Sequence, residues 1–260
     1  MKLLLVDGLN LVRRIFSAGH ADQVDADDDT TQRLVRTCSQ SLKRALELHQ
    51  PTHAAVVFEN PGPTWRHKLF PNYKKSRKPM PAALEQAMPD IVKGLEELGV
   101  RSLCMDGYEA DDVIASVASR VAAKNGNVIV LSTDRLLCQL LDTRITIHDH
   151  FNQRSLDRKY VFDRFGVEPG LIPDLLGLAG DSGVDVPGVP SVGIKTAAKL
   201  IGQFGSLDNV LAHAEEVTGR TGESLQEHKQ AALDGAQLFT LKTDIVLGVN
   251  LQDFRMPDLE

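Results

Sequence analysis

The sequence predicts an α/β protein with a mostly parallel central sheet flanked by helices, followed by a second, helical part. Three observations carry that expectation. Short β-branched or leucine-rich runs recur through the first half of the chain, and the stretches between them have helical periodicity. After about residue 158 the strand signals stop, and helix-like segments follow one another, punctuated by Gly and Pro. The expected division is therefore 1–157 and 158–260.

Lys2–Val6 is an apolar run closed by Asp7 and reads as the first strand. Thr31–Leu48 carries apolar residues at Leu34, Val35, Cys38, Leu42, Ala45 and Leu46 and stops before Pro51, the pattern of a helix packed on a sheet. Ala54–Phe58 is the second strand, ended by Glu59, and Pro81–Leu98 is a second sheet-packed helix stopped by Gly99. Val100–Met105 is the third strand, after which Glu109-Ala-Asp-Asp112 opens a helix running through Val113, Ile114, Val117 and Val121. Val128–Ser132 and Ile145–Ile147 complete the set, with Asp134 just beyond the former. The Pro/Gly cluster Val186–Gly193 is too dense in breakers for helix or central strand and leads directly into a helix at Ile194–Ile201.

Composition bounds the function classes. Of 260 residues, 42% are apolar and 25% charged, and no apolar run approaches the roughly 18 residues of a membrane helix. Lys2 is followed by only four apolar residues before Asp7, too few for a signal-peptide core, so a cytoplasmic protein is expected. Cys38, Cys104 and Cys138 are too far apart for a metal pair and read as buried free thiols. A formal charge of −6 argues against a generally basic nucleic-acid binder. Its distribution argues otherwise. From Arg66 to Lys78 there are six basic residues (Arg66, Lys68, Lys74, Lys75, Arg77, Lys78) and no acid.

Residues just past the carboxyl ends of parallel strands converge on one edge of a sheet. Asp7, Glu59, Glu109, Asp111, Asp112 and Asp134 all fall there. So many like charges require neutralising cations, and an all-oxygen set suits Mg²⁺ or Mn²⁺ rather than zinc. Acids in a first helical turn also serve as caps, which is the alternative reading of Glu109–Asp112. Metal, carboxylates and a basic patch together point to phosphodiester chemistry. Trp65-Arg-His-Lys and Tyr73-Lys-Lys-Ser-Arg-Lys interleave aromatics with cations, as in a groove that holds phosphates and stacks bases. In Pro187–Gly193, small residues let backbone approach a phosphate, the amides of Gly193 and of the helix start at Ile194 donate to it, and Lys195 adds charge beside Thr196.

Several segments together resemble the bacterial 5′-nuclease family. They are Leu4-Leu-Val-Asp-Gly8, Trp65-Arg-His67, Tyr73-Lys74 with Arg77-Lys-Pro-Met-Pro81, Gly107-Tyr-Glu-Ala-Asp-Asp112, Ser132-Thr-Asp134 with Gln139-Leu-Leu141, and Leu178-Ala-Gly-Asp181 through Pro187–Lys195. The likeness is to the 5′ nuclease domain of DNA polymerase I and, more closely, to the standalone exonuclease IX-type flap endonucleases. It implies a PIN-like nuclease core, a basic arch or clamp at about 61–90, and a DNA-binding helix-hairpin-helix at 187–195. The implied activity is hydrolysis of DNA at 5′ flaps and branch points by two Mg²⁺, with Mn²⁺ able to substitute and no protein nucleophile; a single active site enclosed by one chain makes a monomer the simpler expectation. Arg66, Tyr73, Lys74, Lys75, Arg77 and Ser191 to Thr196 would contact DNA, with Lys74 and Arg77 on the scissile phosphate. A K⁺ would be held by the carbonyls of Leu178, Ala179, Pro187, Val189 and Val192.

The departures from that pattern are specific. Leu136 stands where the family has a second Asp after Asp134, Val184 stands where it has the partner of Asp181, and Glu59 replaces an Asp. The first metal site (Asp7, Glu59, Glu109, Asp111) is expected intact, and the second (Asp134, Asp181) is expected to hold its ion weakly, largely through waters. Two other readings stay open. One is a branched-DNA binding protein that has lost turnover; the other is a PIN-type ribonuclease, for which the hairpin would be superfluous. Asp22–Asp29, with five Asp in eight residues, reads as a solvated loop ahead of a Thr30-Thr31 cap, and His148-Asp-His150 lacks a visible third ligand.

Overall fold

A computed structural model describes residues 1–19 and 28–257. Its centre is a six-stranded sheet of order β3-β2-β1-β4-β5-β6, formed by β1 (Lys2–Asp7), β2 (His53–Val57), β3 (Arg101–Leu103), β4 (Asn127–Leu131), β5 (Ile145–Asp149) and β6 (Arg154–Ser155). The first five run parallel, and β6 turns back antiparallel onto β5. β6 escaped the sequence reading because two polar residues carry no alternation to read. β3 is shorter than expected because, as an edge strand, it pairs only with β2.

Both faces of the sheet are covered, which is why β1 reads as an unbroken apolar run rather than alternating. Leu3, Leu5, Ala55, Val57, Val130 and Ile147 face α5 (Ala110–Ala123), whereas Leu4, Val6, Ala54 and Val56 face α1 (Gly8–Gly19), α2 (Asp28–His49) and α4 (Ala82–Glu96). Leu3, Leu4 and Leu5 are wholly buried, each worth about 1.5–3 kcal/mol of transfer free energy. α1 follows β1 without a loop and was not anticipated. α2 begins at Asp28, three residues ahead of the expected Thr31; the rest of the predicted acidic loop, up to Asp27, lies outside the described residues. The short α3 (Trp65–Leu69) sits in the basic segment. Cys38 and Cys138 are buried free thiols, but Cys104 is exposed, because it lies just beyond the end of β3.

The second part contains α6 (Arg158–Phe165), α7 (Ile172–Ala179), α8 (Ile194–Phe204), α9 (Leu207–Ala212), α10 (Gly219–Glu227) and α11 (Lys229–Phe239). α6 is capped by Asp157, which accepts the Tyr160 amide at 2.7 Å, and it ends at Gly166 with φ 74°. Against expectation, this part also holds strand structure: β7 (Gly180–Asp181) pairs antiparallel with β8 (Val186–Pro187). The two backbones touch there. A Cβ on Gly180 (φ 69°) would stand 2.2 Å from the Gly188 nitrogen, and one on Gly188 would stand 2.2 Å from the Ala179 carbonyl carbon. Beyond α11 the chain returns to the sheet, burying Leu241, Ile245, Leu247 and Phe254 in the same core as Leu3 and Leu5. No helix among the described residues is long and apolar enough to cross a membrane.

Candidate active site

The acids gather at the carboxyl edge of the sheet. Asp7, the last residue of β1, is 6% exposed and accepts the Asn10 amide at 3.0 Å and the Ser132 hydroxyl at 2.8 Å. Burial pushes its carboxyl up to about 7 in spite of these two donors, and repulsion from Asp134 and Glu59 adds to the rise. Asp111, in the first turn of α5, is likewise raised well above the usual carboxylate range by burial, then by Asp134, Asp7 and Glu109, while Lys74 opposes the rise. Asp134 is exposed just past β4, its carboxylate accepting the Leu136 amide at 2.8 Å. Glu59 is half-buried beyond β2. These four carboxylates act on one another.

Glu109 and Asp112 are engaged differently. Glu109 caps α5 and is 3% exposed; it accepts the Tyr73 hydroxyl at 3.1 Å and Lys74 Nζ at 2.6 Å, and lies 3.2 Å from an Arg66 nitrogen. In this structure it is the counter-charge of two cations rather than an open ligand. Asp112 is wholly buried: Arg66 grips it through two nitrogens at 2.5 and 2.9 Å, and the Trp65 indole at 2.9 Å and the Lys242 amide at 3.0 Å complete its shell. With every lone-pair direction used, it reaches no reacting group. The reading of Asp112 as catalytic is corrected to that of a buried counter-ion.

The same network corrects two DNA contacts. Arg66 is 0% exposed and also donates to the Leu238 carbonyl at 2.7 Å, so its charge is spent inside the protein. Tyr73 is 4% exposed, with its hydroxyl on Glu109, and offers no face to a base. Trp65 is likewise held between Arg66 and Lys242, whose charged groups lie 4.5 and 4.7 Å from its ring centre. Lys75 and Arg77 are exposed, Lys74 is half-buried, and Arg77 acts electrostatically on Arg13 beside Glu59. An aromatic amid cations in a sequence serves either a groove or a buried network. Here it serves the network.

A cavity of about 370 Å³ opens among Lys74, Asp111, Asp134, Leu136, Asp181 and Val184. Asp181 is exposed at its rim and accepts the Gly183 amide at 2.7 Å. Leu136 and Val184 share one apolar cluster with Tyr73, Val186, Leu238 and Phe239. Asp185, next to Val184, accepts both the amide and the hydroxyl of Ser76 at 2.7 Å, and these bonds hold its carboxyl below the usual range. Asp181, Arg135, Phe165 and Leu176 also line a second, larger groove of about 890 Å³ that leads past Gly188 to Gly193 and Lys195. Two exposed cations on this path, Arg135 and Arg164, escaped the sequence reading. Only the fold brings them beside Lys195.

At the hairpin, Ser191 adopts φ 67° and is exposed with Gly193 and Lys195, and Ile194 and Thr196 lie in the first turn of α8. Ala197 makes the first helical bond, to Gly193 O at 2.9 Å, so the amides ahead of it point out of the helix start. Val192, expected among the DNA contacts, is 4% exposed and its N–H already reaches the Val189 carbonyl at 3.0 Å, so neither its side chain nor its amide is offered to DNA. The Leu178 carbonyl accepts the Val189 amide at 2.8 Å and the Val189 carbonyl accepts the Val192 amide at 3.0 Å, while Ala179 and Pro187 lie at the pairing of β7 with β8.

The donor chemistry fits a hard divalent cation: Asp7 and Asp111, both raised, stand with Glu59 and Asp134, and no sulfur or imidazole is among them. No group of three or more His, Cys, Asp or Glu among the described residues is arranged to hold one ion as it stands. His148 gains a neighbour invisible in the sequence, His49, with ring centres 4.9 Å apart.

Comparison with known proteins follows the same lines. Residues 2–166 match the family model of the 5′-3′ exonuclease N-terminal resolvase-like domain, and residues 167–260 that of the 5′-3′ exonuclease C-terminal SAM fold. Flap endonuclease Xni of Photobacterium profundum is 39% identical over 255 residues, covering 97% of this chain and 96% of the relative. The protein of the same name from Shewanella sediminis is 42% identical over 255 residues, 98% and 97% of the two chains. Among solved structures, the bacteriophage T5 flap endonuclease in a pseudo-enzyme-product complex with DNA and metal ions superposes with a TM-score of 0.75 at 18% identity, covering 92% of this chain and 89% of that one. At that identity the likeness is one of fold.

Proposed function

Since the chain belongs to the 5′-3′ exonuclease family, among the standalone bacterial flap endonucleases, we propose that it hydrolyses DNA phosphodiesters at 5′ flaps and branch points with Mg²⁺. The observation that carries this reading is the cavity lined by Lys74, Asp111 and Asp134, which shares Arg135 and Asp181 with the cationic groove of Arg164 and Lys195. Reaction centre and duplex path are thereby continuous.

Asp7, Glu59 and Asp111 would hold one Mg²⁺, or Mn²⁺ in its place, and Asp134 with Asp181 a second, more weakly, beside Leu136 and Val184. Such an ion supplies an activated water and offsets charge on the leaving oxygen. Lys74 sits between Glu109 and Asp111 and is the group placed to orient the scissile phosphate, with Arg77 behind it. Lys75 and Arg77 continue the basic face through the segment 61–90, which would guide the single strand. Ser191, Gly193, Lys195 and the amides of Ile194 and Thr196 would hold a duplex phosphate without reading sequence. The carbonyls of Leu178, Ala179, Pro187, Val189 and Val192 would hold K⁺ behind it. In this reading residues 1–157 are the catalytic core and 158–260 the DNA-holding part, acting as a monomer in the cytoplasm.

The packing of Leu136 and Val184, which carry no acid, against one apolar cluster favours a second reading, a branched-DNA binder without turnover. Purified protein with end-labelled 5′-flap DNA in Mg²⁺ separates them. Cutting near the branch that Asp111→Asn abolishes supports the nuclease; tight, salt-sensitive binding with no product in Mg²⁺ or Mn²⁺ overturns it.

A further inference from the structure

Lys74 enters the acid cluster from a backbone that is not at rest by itself. Its φ is 54°, a left-handed value that residues with side chains rarely adopt, and Asp185 opposite has φ 59°. Such conformations persist where neighbours over-determine them. Here the neighbours can be named. The Lys74 amide donates to the Val184 carbonyl at 2.9 Å, and Asp185 takes the amide of Ser76 with one carboxylate oxygen and its hydroxyl with the other, both at 2.7 Å. Val184 itself packs, as Leu136 does, against the buried cluster of Tyr73, Val186, Leu238 and Phe239. On the far side, Lys74 Nζ is 2.6 Å from Glu109 and the Tyr73 hydroxyl 3.1 Å from it.

We propose that the turn Ser182–Asp185 is a latch that fixes Lys74 in the acid cluster before DNA arrives, with Asp185 as its positioning residue. The turn lies between β7 and β8, the strand pair that also carries the hairpin crossing. The latch therefore ties the basic segment to the duplex-holding element, so that a duplex seated on the hairpin meets a lysine already in place. Leu136 and Val184, which hold no metal, acquire a role: an apolar footing under Tyr73 that keeps the latch closed. Asp185 is instead tied to Ser76 through both of its oxygens.

The inference rests on the reading of Lys74 as the group on the scissile phosphate, and the test separates the two. In the metal-free protein, Asp185→Ala should speed amide exchange at Lys74 and Ser76 by 10-fold or more and leave α8 unchanged. On flap DNA it should lower kcat by at least 10-fold with KM within about 2-fold, and Asp185→Asn, which keeps one acceptor, should fall between. In a Lys74→Ala background Asp185→Ala should cost nothing further. If Lys74→Ala leaves kcat intact, the reading of Lys74 fails. If Lys74→Ala lowers kcat but Asp185→Ala changes neither exchange nor kcat, or if the two losses multiply, the latch fails.

Discussion

Replacing Arg66 by Met tests the account of the buried network. The guanidinium is fully buried, carries two bonds to Asp112, one to the Leu238 carbonyl and a contact to Glu109. Methionine matches much of its length but leaves Asp112 as a charge with no cation in a dry interior. Breaking one side of a buried pair costs about 3–5 kcal/mol, a large share of the about 5–15 kcal/mol that holds a domain folded. For a chain of this size that corresponds to a fall in Tm of about 6–20 °C. Adding Asp112→Asn should recover part of the loss, since the orphaned charge disappears while an acceptor remains for one of the two donors, Trp65 or Lys242, that now use separate oxygens. Urea unfolding followed by circular dichroism reads both numbers. A loss below about 1 kcal/mol with a weaker, less salt-dependent DNA affinity would refute the argument, since that is how an exposed phosphate contact behaves.

Acid should weaken the fold through its imidazoles. Burial lowers His49 to about 4 and lowers His148 and His150 as well, so the stability they contribute is present above the unfolded value of about 6.5 and drains away as pH falls toward 4; replacing all three by Gln should flatten the urea midpoint across that range. Asp7 works in the opposite direction. Its raised value of about 7 makes the metal-free protein lose stability as pH rises through 7, so Asp7→Asn should gain about 1–4 kcal/mol at pH 8 and nothing near pH 4, and Mg²⁺ should raise Tm more at pH 8 than at pH 5. Gly188→Ala should cost more than about 3 kcal/mol because its Cβ meets the Ala179 carbonyl carbon at 2.2 Å, and a Tm within a few degrees of the parent would contradict the crossing. Arg164→Ala and Arg135→Ala should each reduce the salt slope of duplex binding by about 1, and an unchanged slope removes that residue from the groove.

The sequence by itself determined the layered α/β core and the edge of the sheet where acids collect. Those follow from local periodicity and from the rule that parallel strands share a direction: the apolar run Lys2–Val6 reads as a strand, and Asp7 had to emerge at its end. It also showed where acids of the related pattern were missing, at Leu136 and Val184. What became of each charge was decided by tertiary structure alone. Arg66 and Arg77 look alike in the chain, yet one is sealed against Asp112 and the other faces solvent, because the α3 turn carries Arg66 under α5 and α11. Asp111 and Asp112 are neighbours, yet only one points into the cavity, since successive residues of a helix diverge by about 100°. The pairing of Ser76 with Asp185, 109 residues apart, and the meeting of Arg135, Arg164 and Lys195 depend on how separate elements pack. No local pattern encodes those distances, because the partners recognise one another only after the backbone has brought them together.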